Sequence, residues 1–190
     1  FFFFKQKTAY EITFNSNTSN QSGGAIYSSS GNSNSPRDTL ILCSIENNIS
    51  SSNGGGIFTE GYQSLYIVYS LISNNIAGSG TPIVDGGGVY INSTTSTSAF
   101  INCTIVNNQV LGNPSRGGGI RQSGSYTVNL LNTIIYNNEA SNGPNILGSF
   151  NASYSDIEGG YTGTGNIDSD PMFADTAAAD YHLTWGSPCI

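Results

Sequence analysis

Charge is scarce in this chain of 190 residues: Asp, Glu, Lys and Arg make up only 9%, with 12 acidic groups against 5 basic ones. So few cations give no basic track for phosphates, which argues against a nucleic acid partner. Long apolar runs are missing too. Leu65 to Ile72 is among the longest and Ser70 interrupts it, far short of the roughly 20 residues a spanning helix needs. No membrane-spanning segment is expected. Leu is outnumbered by Ile 9 to 20, the reverse of a helical protein's balance. The three cysteines show no C-x-x-C spacing, so a zinc site of that kind is excluded.

What is abundant is turn and strand material. Gly, Asn, Ser and Thr sum to 91 residues, while 37% hydrophobic residues still allow a packed core.

Phe1 to Ile12 differs from the rest in being rich in Phe and Lys without Gly or Asn. Its cations follow the apolar run, opposite to a signal peptide. Lys5 to Ile12 resembles the translation of a common sequencing-adapter oligonucleotide, so residues 1–12 are read as an artefact rather than native protein. Residues 13–160 are then a repeat domain and residues 161–190 a closing segment, with both ends read as truncated.

Two signals alternate through the repeat domain. A glycine block leads into an aliphatic residue at Ile26, Ile57, Val89 and Ile120, spaced 31, 32 and 31 apart. Paired asparagines follow Ile45, Ile72, Ile105 and Ile135, spaced 27, 33 and 30 apart. Upstream of each Ile lie matching columns, among them Cys43, Ser70, Cys103 and Thr133. These short β-branched segments between Gly, Asn and Ser read as strands. Length variation falls in Ser28 to Arg37, Ala77 to Asp85 and Leu111 to Arg116, read as surface loops.

A thirty-residue period of strands makes sense if successive coils stack in parallel about 4.8 Å apart. Ile45, Ile72, Ile105 and Ile135 then form one inner column, and Asn47, Asn74, Asn107 and Asn137 a ladder of amides donating and accepting along the stack. The fold expected is an all-β, single-stranded parallel β-helix of about five coils. Cys43 and Cys103, two coils apart, lie beyond disulfide reach and read as small buried residues.

Phe14-Asn15-Ser16-Asn17 with Gly23-Gly24-Ala25-Ile26 resembles the paired motifs of the polymorphic outer-membrane-protein repeat. The later copies are similar to the broader pectate-lyase-like class, and Asn166 to Phe173, Asp180 to Leu183 and Gly186 to Ile190 resemble the closing segment of large exported bacterial β-helix proteins. The resemblance implies a right-handed coil and a bacterial protein that is secreted or held at the cell surface. It does not imply one activity, since this scaffold carries lyases, hydrolases, epimerases and adhesins.

Following the inner aliphatic of each glycine block come Tyr27, Phe58, Tyr90 and Arg121. Strand alternation turns them outward, as a stripe suited to sugar rings with Glu60 as a polar neighbour, or simply as a stabilising aromatic ladder. Asp168 and Asp170 fall in the densest run of carboxylates and offer oxygens to Ca²⁺, though Asp170-Pro171 is also a turn signal. No other cofactor is expected. Glu46, Glu60, Asp85 and Glu139 sit in unrelated columns, so no catalytic residue is assigned, and His182 reads as structural. The function expected is a rigid binding or adhesion module for polysaccharide or a cell-surface glycan, with a polysaccharide lyase or glycoside hydrolase, and a structural spacer, as the alternatives.

Overall fold

A computed structural model describes residues 12–31, 37–78, 83–94 and 97–190. Each turn of the chain contributes a strand to each of several parallel sheets, because the apolar residues recur at the same point of every coil. Sheet I stacks six strands, Ile12–Asn15, Cys43–Glu46, Leu71–Ser73, Thr104–Val106, Ile134–Tyr136 and Asp156–Ile157. The short sheet II joins Thr18–Ser19, Ile49–Ser50, Ile76–Ala77 and Gln109–Val110. Sheet III stacks the strands after the glycine blocks, from Ile26–Ser30 through Ile57–Gly61, Val89–Ser93 and Ile120–Gln122 to Ile146–Leu147. Sheet IV stacks Arg37–Ile41, Ser64–Val68, Ala99–Ile101, Val128–Leu131 and Phe150–Ser153. The molecule is a parallel β-solenoid, and no α-helix occurs among the described residues.

The register is the one the repeat demands. Ile45 pairs with Ile72, Ile72 with Ile105 and Ile105 with Ile135, and all four are fully buried. Ile57, Val89 and Ile120 line the opposite side of the same core. Each such side chain contributes roughly 1.5–3 kcal/mol by leaving water, and only because a neighbouring coil covers it. Cys43 and Cys103 are free and buried in one column with Ser70 between, whose hydroxyl accepts from the Cys43 amide at 3.1 Å. Burial pushes the Cys103 thiol up to about 12.

The continuous amide ladder lies one residue beyond the expected column, in which Asn137 donates to Asn107 at 2.7 Å and Asn47 to Asn15 at 3.1 Å. It runs through Asn48, Asn75, Asn108 and Asn138, each Nδ2 donating to the next Oδ1 at 2.9 Å and the last to Asn145. The second donor proton turns inward: Asn75 reaches the Ile45 carbonyl and Asn108 that of Ile72. Asn47, Asn74, Asn107 and Asn137 also carry the bend, with φ of 56°, 55°, 56° and 53°. Asn tolerates that left-handed conformation, which costs most other residues energy. A second bend, between sheets IV and I, uses Leu42, Tyr69, Asn102, Asn132 and Tyr154 with φ between 48° and 56°.

All three of the expected loops are partly structured. Ser28 lies in a sheet III strand, and Val84–Asp85 forms a buried strand paired with Ser115–Arg116. Val84 is apolar and packs with Ala77 and Val110 in a small satellite core, which is why this insertion does not simply hang in solvent. Of the segment read as an artefact, residues 1–11 lie outside the described residues, and Ile12 pairs with Cys43 in sheet I.

Candidate functional site

Tyr27, Phe58, Tyr90 and Arg121 do stack in register on the outer side of sheet III. Ring centroids are 5.4 Å apart between Tyr27 and Phe58 and 5.2 Å between Phe58 and Tyr90. An open stripe is nevertheless not what results. Tyr27 is 55% exposed, but Phe58 and Tyr90 are only 6% and 9% exposed. Phe58 lies between the rings of Tyr27 and Tyr90, and Tyr90 between Phe58 and Arg121, whereas the strand of Tyr27 lies at the edge of the sheet. Pointing away from the core is therefore not the same as meeting solvent, and the column functions in its inner part as a stabilising ladder.

The polar groups of this face are also engaged. Glu60 accepts from the Tyr27 hydroxyl at 2.5 Å, and that bond pushes the phenol above its ordinary range. Tyr90 shares a 2.9 Å hydrogen bond with Ser123, which donates to Asn92. Asp85, buried in the inserted strand, holds Arg116 through two bonds of 2.6 and 2.8 Å and lies 3.6 Å from the Arg121 Nε. Arg121 also donates to the carbonyls of Gln122 and Leu147. Two guanidinium groups thus converge on one carboxylate, an arrangement invisible in the sequence because Asp85 and Arg116 meet only through their paired strands. The other scattered carboxylates have local partners as well: Glu46 accepts from Ser44, and Glu139 from Gln109 at 2.5 Å.

Asp168 and Asp170 serve the backbone. Asp168 accepts from the Gly159 amide at 3.1 Å, and Asp170 from that of Met172 at 2.8 Å. Among the described residues no three His, Cys, Asp or Glu side chains gather as metal ligands would. Glu158 accepts from the Asn137 amide and from the Asn145 side chain.

The closing segment does more than follow the last coil. Phe173–Asp175 and Asp180–Leu183 form an antiparallel hairpin laid against the outer side of sheet I. Its Tyr181 ring packs on Leu71 and Val106, and its hydroxyl accepts from Asn74 at 3.2 Å and Asn107 at 3.0 Å. Two bend asparagines are thereby clasped from the side. His182 is exposed and pairs with Asp180. Cys189 donates to Asp156 at 3.1 Å, and burial together with that carboxylate pushes the thiol up to about 12.

The fold and its ladders define a parallel β-helix repeat protein. Its first two coils are similar to the Chlamydia polymorphic membrane protein repeat, whose family model matches residues 11–29 and 42–60. Those stretches contain the Phe14 and Ile45 strands together with the glycine blocks before Ile26 and Ile57. No curated protein and no solved structure matches the chain. Among the described residues no helix is long and apolar enough to cross a membrane.

Proposed function

We propose that the chain is the rigid β-helix part of a bacterial surface protein and that it binds polysaccharide through its outer faces. The observation that supports this is a pre-shaped scaffold whose first two coils are similar to a membrane-protein repeat, with side chains of successive coils held in fixed rows by the amide ladder. A row repeated at strand spacing suits a partner that itself repeats. Rigid presentation lowers the ordering cost of binding. On sheet III only the Tyr27 and Glu60 end is open enough to take part.

The test is a glycan array probed with the purified, labelled chain, alongside antibody labelling of intact producing cells. Retention of at least one polysaccharide and labelling without permeabilisation are expected. Retention of none, or labelling only after the cells are opened, would overturn this reading.

A further inference from the structure

We propose that the last two strands of sheet IV and the chain at residues 161–164 form a binding cleft for a neutral polysaccharide. This inference rests on the glycan-binding reading above and moves the site from sheet III to sheet IV.

Burial alternates along Val128–Leu131 and Phe150–Ser153, so Val128, Leu130, Phe150 and Ala152 face the core. Asn129, Leu131, Asn151 and Ser153 face outward, with Asn129 beside Asn151 and Leu131 beside Ser153. Residues 161–164 continue this surface past the sheet edge, because the Tyr154 amide donates to the Thr164 carbonyl at 2.8 Å. Together they enclose an open cleft of about 580 Å³, to which Thr162 and Thr164 also contribute. That lies within the range of roughly 300–1,000 Å³ common for ligand sites.

The cleft is built rather than incidental. Tyr161 sets its edge on the Phe150 ring, 6.2 Å between centroids at 88°, and its hydroxyl donates to the Phe150 carbonyl at 3.2 Å. Gly163 permits the close approach, since a Cβ there would come within 2.0 Å of the Ala152 carbonyl oxygen. Tyr154 stands beside the cleft, at the bend that Leu42, Tyr69, Asn102 and Asn132 make in earlier coils, and is 60% exposed.

The lining decides the ligand class. It holds amides, hydroxyls and the apolar Leu131, which is 38% exposed, and no carboxylate or cation. Amides and hydroxyls match sugar hydroxyls, while an aliphatic floor matches the C–H face of a ring. The Asn151 to Asn129 bond is long, at 3.4 Å, so a ligand hydroxyl competes readily with it. An acidic polymer is disfavoured by the net charge of −7 and by the capture of Arg116 and Arg121 at Asp85. Away from the cleft the same face continues through Ile101, Val68 and Ile41 in register with Leu131, an aliphatic track for a polymer longer than the cleft.

The experiment titrates the whole chain with cellohexaose, maltohexaose and chitohexaose, using hexagalacturonate as the anionic probe, by calorimetry and amide chemical-shift mapping. At least one neutral probe should bind and shift the amides of Asn151, Thr162 and Thr164. Asn151→Ala and Thr162→Val should each weaken it about five- to tenfold, the loss of one ligand hydrogen bond, with the melting temperature unchanged. Thr162 is exposed, so its variant carries the test should Asn151→Ala fail to fold. Neutral binding that neither variant weakens would overturn this site and leave glycan binding standing. Binding of hexagalacturonate alone would overturn the neutral class. Binding of none of the four would overturn both this site and the glycan reading.

Discussion

The first coil and the later ones carry large apolar residues at the same positions, yet they are not buried alike. Phe14, Ile26 and Leu40 are half-buried, whereas their successors Ile45, Ile57 and Ile67 are fully buried. The cause is position in the stack. Ile12–Asn15, Ile26–Ser30 and Arg37–Ile41 each lie at the edge of their sheet, with no strand paired to the outer side among the described residues. At the other end residues 158–170 close the stack: the Ile157 amide donates to the Ile167 carbonyl at 3.1 Å, and Tyr161 lies over Phe150. Ile157 is accordingly only 1% exposed. Burial in a solenoid is a property of the neighbour, and the same isoleucine is worth different amounts in different coils.

The sharpest way to break this comparison is to delete one ladder amide at each place. Asn108 donates from its side-chain amide to the Ile72 and Val106 carbonyls and to Asn138, and its Oδ1 accepts from both the backbone and side-chain amides of Asn75, so Asn108→Ala strands several buried partners at once. A loss on the order of 3 kcal/mol is expected by chemical denaturation. Asn17 stands at the exposed end of the same ladder, its side-chain amide donating to Asn48 at 2.8 Å, and Asn17→Ala should cost under about 1 kcal/mol. Equal losses would mean that the ladder does not transmit stability as the stack implies.

The apolar column offers the next contrast. Ile72→Ala opens a void between Ile45 and Ile105 and should cost about 2–5 kcal/mol. Phe14→Ala removes a larger side chain from a half-buried site and should cost less than Ile72→Ala despite its size. The reverse order in urea midpoints would show that the first coil is covered more fully than its edge position implies.

The side clasp should count for less than either column. Tyr181→Phe keeps the packing on Leu71 and Val106 but removes the acceptor for Asn74 and Asn107. A cost of about 1 kcal/mol is expected, with faster amide exchange confined to the hairpin. A globally uniform rise in exchange would contradict a clasp that is local.

The repeat made the stacking legible, because apolar residues thirty apart can be buried only by lying over one another. The ladder was offset by one residue for a reason spacing cannot show. In Asn47-Asn48 the first residue adopts the left-handed bend and the second then turns inward, and both look alike in the sequence. The aromatic column was legible in register but not in exposure, since Phe58 and Tyr90 are covered by their neighbours in the column, as Tyr27 at the sheet edge is not. Tyr181 meets Asn74 across 107 positions with no local pattern to announce it. The same holds for the cleft beside Asn151, whose far wall at Thr162 and Thr164 lies in the closing segment, past the repeats.

The smallest effect expected is at the closed end, where Asp156 is 3% exposed. Burial pushes its carboxyl above the ordinary 3.8, while the Cys189 thiol and the Ser169 amide pull it partly back. The native state therefore holds the proton more tightly than the unfolded chain does. Between the ordinary value and the raised native one, stability falls as pH rises, and above the raised value the burial penalty is present in full. Asp156→Asn keeps an oxygen for the Ser169 amide and removes the charge, so it should raise the melting temperature slightly at pH 7. The gain should shrink as pH falls through that window and vanish where both states of Asp156 are protonated. Cys189 stays protonated throughout, its thiol being pushed up to about 12. A lower melting temperature for Asp156→Asn at pH 7 would mean that the ionised carboxylate's two hydrogen bonds outweigh its burial, so that charge at this end fastens the chain down.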